Sequence, residues 1–317
     1  MNAFGLVRVA SATIRTSVGD PAANAREIAG VLGRTTACDV VLFPELCLTG
    51  YTCADLFYQP TLLRAALDAL AAVVEANARK PRVVVIGLPL GVGPHLYNCA
   101  AVIDGSGLRG LVPKQHLPNY KEFYERRWFR PARGEEPAEV EVLGRAVPFG
   151  VDLLFQAEGA GQAGRDVTIG VEICEDLWLP IPPSASQALA GATILLNPSA
   201  SNETIGKSGY RTDLVTGQSA RCIAAYAYSG AGATESTTDL VFGGHCLIAE
   251  NGRLLAESRR VGDGKPVERG SYWIEQDVDV ARLTFLRRSE ATFEHPVGPV
   301  RPYRRIPVVL ASTEPTD

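Results

Sequence analysis

The 317-residue sequence has no stretch of about 18 consecutive apolar residues, so no membrane-spanning helix is expected. Its N-terminus, MNAFGLVRVASATIR, lacks a basic segment followed by a long apolar run, which argues against a signal peptide. Histidine is scarce, at four residues with no H-E-x-x-H, and none of the seven cysteines is spaced C-x-x-C. Those absences exclude the common zinc and dithiol patterns, and no metal or other cofactor is expected. Positive charge is not in excess: 31 Lys and Arg against 35 Asp and Glu give a net charge of −4, which argues against a nucleic-acid partner. No G-x-x-x-x-G-K-[ST] loop occurs, so no ATP site is read. GAGQAG at 159–164 matches G-x-G-x-x-G in letters only. A strand-like DVTIGVEI follows it where a dinucleotide fold needs a helix, and Ser184 stands at the acidic position, so a flexible hairpin loop is expected. A cytoplasmic, reducing setting fits the unpaired cysteines, most of which read as small core hydrophobes.

What is present is an alternation of short apolar runs with longer amphipathic ones. Strands are expected at 6–14, 39–44, 82–88, 97–103 and 107–113, the last two as a hairpin around Asp104-Gly105-Ser106-Gly107. Helices are expected at 20–37, with Asp20 as N-cap and Pro21 in the first turn, and at 61–79. The second half repeats the layout without repeating the sequence. Its strands are expected near 147–154, 166–173, 192–197, 224–229, 240–249, 253–258 and 271–279, and its helices near 184–190 and 211–224. This interleaving predicts an α/β fold. Residues 1–286 read as one domain, and 287–317, rich in arginine and proline, as a tail lying on the surface or on a partner.

Three apolar segments end abruptly in a reactive side chain: DVVLFPE at Glu45, LRGLVPK at Lys114 and DVTIGVEIC at Cys174. Singly, Glu45 could cap a turn and Lys114 could be a surface lysine. Cys174, among Glu172, Glu175 and Asp176, sits oddly for a core cysteine. Ligands of α/β proteins bind beyond the carboxyl ends of strands, so the three can converge. Their chemistry is complementary. A thiol near its ordinary pKa is mostly un-ionised at neutral pH. A carboxylate can take its proton, and an ammonium can favour the thiolate and hold the oxyanion formed on a carbonyl. Acyl transfer then needs neither histidine nor metal.

FPELCLTGY, LVPKQHLPNYKEFYE and GVEICED resemble the three signature segments of the nitrilase, or carbon–nitrogen hydrolase, superfamily. YKEFYERRWF, PPSASQALAGATILLNPSAS and ESTTDLVFGGH are similar to the N-terminal glutaminase domains of glutamine-dependent NAD synthetases in particular. The resemblance covers residues 4–285 and implies a four-layer αββα sandwich. It implies Cys174 as nucleophile, Glu45 as general base, Lys114 as oxyanion stabiliser with the Glu175 N–H, and Glu122 as a second, substrate-positioning glutamate. It further implies substrate contacts from Tyr51, Phe123, Glu175, Ser199, Ser201 and Lys207.

The implied reaction is hydrolysis of the L-glutamine side-chain amide to glutamate and ammonia through a thioester, the ammonia intended for NAD synthesis, or another acceptor, by a separate or missing ATP-dependent synthetase. The resemblance also implies a homo-oligomer, and PYRRIPVVL at 302–310 is similar to the start of the connection to a synthetase domain. Two alternatives stay open: an aliphatic amidase or N-carbamoyl hydrolase, and a non-catalytic partner subunit.

Overall fold

The computed structural model describes residues 5–157, 167–265, 269–290, 293 and 301–310. The expected loop at 159–164 lies outside them. The described elements are β1 (Leu6–Thr13), α1 (Pro21–Arg34), β2 (Val40–Leu42), α2 (Pro60–Ala76), β3 (Val83–Val92), β4 (His95–Asp104) and β5 (Gly107–Pro113). Next come β6 (Glu139–Val142), β7 (Arg145–Pro148), β8 (Leu153–Ala157), β9 (Thr168–Val171), α3 (Pro183–Leu189), β10 (Ile194–Ser199) and α4 (Lys207–Cys222). The series ends with β11 (Ala225–Gly230), β12 (Cys246–Glu250), β13 (Arg253–Glu257), β14 (Tyr272–Asp279), α5 (Val280–Ser289) and β15 (Arg304–Val308).

The strands form two large sheets, ordered β14-β1-β2-β3-β4-β5 and β13-β12-β11-β10-β9-β8-β15, beside the small hairpin β6-β7. Period-two alternation gives each strand two buried faces, and three apolar layers result. Ile28, Val31 and Leu32 of α1 and Leu70 and Val73 of α2 pack with Val41, Val84 and Ile86 of the first sheet. The opposite faces of its strands, including Val9, Leu42 and Val85, meet Ile169, Leu196 and Ala227 of the second sheet. Leu195, Tyr226 and Leu247, on the second sheet's outer face, pack with Ala188 of α3 and Val215 and Cys222 of α4. The layers therefore run helix, sheet, sheet, helix, the expected αββα sandwich.

Local chemistry explains most element ends. Asp20 Oδ1 accepts from Ala23 N at 3.0 Å, capping α1 as expected. That helix stops at Arg34, three residues short of expectation, where the Thr35 N–H and hydroxyl both turn back on the Val31 carbonyl. The expected strand at 147–154 is divided between β7 and β8 by a bend at Gly150. Of the expected strand at 240–249 only the part from Cys246 is extended, because Gly243-Gly244 turns the chain, Gly244 at φ +67°. Helix α4 starts four residues before the expected 211, directly after Gly206. Helix α5 gave no sequence signal because it buries only Val280 and Leu283, too narrow a stripe to show as a period. Residues 304–308, within the segment set apart as a tail, form β15 and pair in parallel with β8. Arg304 seals that edge through a two-point bond to Asp152 at 2.8 and 2.7 Å. No described helix is long and apolar enough to cross a membrane.

Candidate active site

Glu45 stands three residues beyond β2, and its loop rests directly on β3. The contact requires Gly87: a Cβ there would lie 2.1 Å from the Leu46 nitrogen and 2.7 Å from the Glu45 carbonyl carbon. The carboxylate is buried, so each oxygen must find donors inside the protein. Oε1 accepts from Asn98 Nδ2 on β4 at 2.7 Å and from Lys114 Nζ at 2.6 Å. Oε2 accepts from the Ala200 N–H, just past β10, at 2.8 Å. Both sheets thus hold this one side chain.

Lys114 follows β5 immediately, with its N–H on the Asn98 carbonyl at 2.8 Å. The residue is only 1% exposed, and its ammonium sits between Glu45 and Glu125, the latter's oxygens lying 2.7 and 3.0 Å from Nζ. Burial pushes the Lys114 pKa down, but the charges of Glu125 and Glu45 more than reverse this and hold it well above the ordinary lysine value. For Glu125, burial pushes the carboxyl up, Lys114 pulls it back, and the Glu45 charge raises it again. The Tyr51 hydroxyl donates to Glu125 Oε1 at 2.8 Å.

Cys174 opens a short 3-10 helix, Cys174–Trp178, beyond β9, with φ +46° and its N–H on Asn197 Oδ1 at 3.0 Å. Burial first, then the Glu45 charge, raise its thiol pKa; Lys114 and the Ser199 hydroxyl oppose them. Two carboxyl groups share one ammonium here, so a resting thiolate would add further negative charge to a buried group. The arrangement favours a neutral thiol.

Cys174 reaches a cavity of about 570 Å³ whose wall includes Glu122, Phe123, Glu175, Ser201 and Lys207. Glu45, Lys114, Tyr51 and Ser199 stand behind that wall, all buried. Glu175 accepts from the Tyr120 hydroxyl at 2.9 Å. Lys207 Nζ lies 5.4 Å from the ring centres of both Phe123 and Trp178 and bonds Asn202 Oδ1. Burial lowers its pKa. Ser199 Oγ is 2.6 Å from the Tyr228 hydroxyl.

Two glutamates stand near the site, Glu122 on the cavity wall and Glu125 on Lys114. Glu122, expected as the second glutamate, accepts from Asn202 Nδ2 at 2.5 Å, and the carboxylate that shares Lys114 is Glu125. Both lie in YKEFYE, where Lys121 at φ +52° reverses the chain and no regular helix sets which side faces inward. Spacing from Lys114 therefore could not choose between them. Tyr51 contacts Glu125 and does not line the cavity. Among the described residues no group of His, Cys, Asp and Glu has the arrangement of a metal site.

The chain is similar to known proteins over most of its length. The chain is 45% identical over 295 residues to a glutamine-dependent NAD(+) synthetase of Mycobacterium tuberculosis, covering 92% of this chain and 41% of that protein. A Mycobacterium leprae protein of the same name is 42% identical over 311 residues, with 95% and 44% covered. The chain therefore spans about two fifths of the length of these relatives. A crystal structure of a glutamine-dependent NAD(+) synthetase from Cytophaga hutchinsonii superposes with TM-score 0.71 at 28% identity, covering 86% of this chain and 43% of that one. An amidase of the nitrilase superfamily from Nesterenkonia AN1, at 19% identity and TM-score 0.65, shares the fold over 91% of this chain and 96% of its own. Residues 8–287 match the carbon-nitrogen hydrolase family model, and the chain belongs to that family.

Proposed function

We propose that this chain is a cysteine amidohydrolase that cleaves the side-chain amide of L-glutamine, releasing glutamate and ammonia. One observation carries the reading: a cavity with Cys174 on its wall, the Glu45–Lys114–Glu125 cluster behind it, and a carboxylate and an ammonium, Glu175 and Lys207, also on that wall. Those two charges complement the α-ammonium and α-carboxylate of a free amino acid, and Ser201 adds a polar contact.

Glu45 takes the thiol proton as Cys174 Sγ attacks the amide carbon. An ammonium has three protons. Glu45 and Glu125 engage two of those on Lys114, and the third, with the Glu175 N–H, holds the oxyanion. As the tetrahedral adduct collapses, the C–N bond breaks and Glu45 returns the proton to the leaving ammonia. A γ-glutamyl thioester remains. Glu45 then takes a proton from water as its oxygen bonds the thioester carbon, the C–S bond breaks, Glu45 returns that proton to Cys174 Sγ, and glutamate leaves. Ammonia is consumed by an NAD synthetase activity, a role supported by the names of the relatives and by their length beyond this domain.

The test is release of ammonia and glutamate from L-glutamine by the purified chain, with Cys174→Ala as control. We expect Cys174-dependent release, and a Lys207→Ala variant whose KM rises for glutamine and not for propionamide. Turnover retained in Cys174→Ala removes that residue as nucleophile. Hydrolysis of propionamide but not glutamine would replace this reading with an aliphatic amidase.

A further inference from the structure

A buried chain of hydrogen bonds leads away from the backbone of Cys174, and the proposed chemistry leaves it unused. The Cys174 N–H donates to Asn197 Oδ1 at 3.0 Å. Asn197 Nδ2 donates to the Tyr226 hydroxyl at 3.1 Å, and that hydroxyl donates to Glu172 Oε1 at 2.5 Å. Glu172 Oε2 accepts from the Ser184 N–H at 2.7 Å. All these side chains are buried. Each donor points the same way, toward the Glu172 carboxyl group. The partners also fix the Asn197 amide: a backbone N–H requires its oxygen, and a phenol committed to a carboxylate requires its nitrogen. The chain ties β10 and β11 to the segment just beyond β9, so it joins three adjacent positions of one sheet.

Cys174 has φ +46°, a conformation that L-residues rarely keep unless their surroundings impose it. We propose that Asn197, Tyr226 and Glu172 are positioning residues that hold Cys174 in this left-handed turn. The relay aims Sγ at the cavity and turns the Glu175 N–H toward the oxyanion. It also takes up the Cys174 N–H, which leaves Glu175 N–H and Lys114 as the oxyanion donors. The inference rests on Cys174 as nucleophile, the reading given above.

Tyr226→Phe removes one oxygen and keeps the ring in the core; Asn197→Ser shortens the link by one atom. Two rates are measured in each variant: glutamine hydrolysis, and alkylation of Cys174 by 2-chloroacetamide. In the alkylation Sγ forms a C–S bond as the C–Cl bond breaks, chloride leaves with the electron pair, and Glu45 accepts the thiol proton. Cys38 and Cys222 also line cavities, so mass spectrometry is used to follow the Cys174 adduct by itself. The expected result is a fall in kcat of about tenfold or more with KM changed less than about threefold, and a parallel fall in alkylation rate. A purely structural role would lower melting temperature without that split between kcat and KM. Folded variants with both rates within about twofold of wild type overturn the proposal, and should Tyr226→Phe not fold, Asn197→Ser decides alone. Should wild type not hydrolyse glutamine, the substrate reading fails while the alkylation rates still judge the relay.

Discussion

Lys114 places one positive charge between two buried carboxylates, and this imbalance governs the cysteine. Burial pushes the Glu125 carboxyl up to about 7 even beside Lys114, so this buried cluster has little room for a further negative charge, and in the proposed reaction the thiol stays neutral until the developing oxyanion draws on Lys114. In the proposed reaction the two carboxylates divide the work: Glu45 moves protons, and Glu125, which bonds Lys114 and Tyr51, holds them in place. Glu125→Gln is expected to lower kcat by about two orders of magnitude, in the range for lost electrostatic positioning. Glu122→Gln, which removes a charge from the cavity wall near Lys207 and weakens the Asn202 contact, is expected to act mainly on KM. Steady-state glutamine kinetics of the two variants check the assignment, and a larger kcat loss in Glu122→Gln would reverse it.

At the scale of the element, the site depends on how closely loops can approach strands. The chain carrying Glu45 crosses β3 where only a hydrogen can stand, at Gly87. The Leu48 N–H bonds the Gly87 carbonyl at 3.1 Å, and the Gly87 N–H meets Cys47 Sγ at 3.4 Å, so the loop is fastened on both sides of the close approach. Gly87→Ala must push Leu46 and Glu45 outward. The expected result is a stability loss of about 1–3 kcal/mol, the usual range for overpacking, together with at least a tenfold fall in kcat. Urea unfolding followed by kinetics on the folded protein measures both; a variant with wild-type kcat would show that the Glu45 loop is not held by this contact.

At the scale of the whole molecule, the sandwich buries further carboxyl groups, and these are expected to make stability depend on pH. Burial pushes Glu172 and Glu235 up to about 7 from a reference of 4.5. The folded state therefore binds protons more tightly than the unfolded chain. Their contribution is full below about pH 4.5 and is lost as pH rises through about 7, on the order of 3 kcal/mol each. His245 works the other way. Burial and the Arg211 charge push it down to about 3, so its contribution is present above pH 6.5 and is lost as pH falls below that. Glu235 accepts from the Thr52 N–H and hydroxyl at 2.8 and 2.6 Å, and a glutamine oxygen can accept both. Glu235→Gln should thus flatten the fall in unfolding free energy between pH 5 and pH 8. Urea unfolding across that range tests it, and an unchanged slope would mean that Glu235 is not a source of the dependence.

The sequence by itself determined the alternation of strands and helices, the α1 cap at Asp20, the hairpin at Asp104–Gly107, and the position of Glu45, Lys114 and Cys174 just beyond apolar strands. These are local signals: hydrophobic period, capping chemistry, and a polar residue where a buried run stops. Helix α5 and the strand β15 left no such signal, the first because its buried face is narrow, the second because its stability comes from pairing with β8, about 150 residues away in the chain. Only the tertiary structure decided between Glu122 and Glu125, since an irregular turn has no period from which to read a facing. It alone placed Asn98 on Glu45 and joined Cys174 through Asn197 and Tyr226 to Glu172, because partners on neighbouring strands meet through sheet register rather than through spacing along the chain.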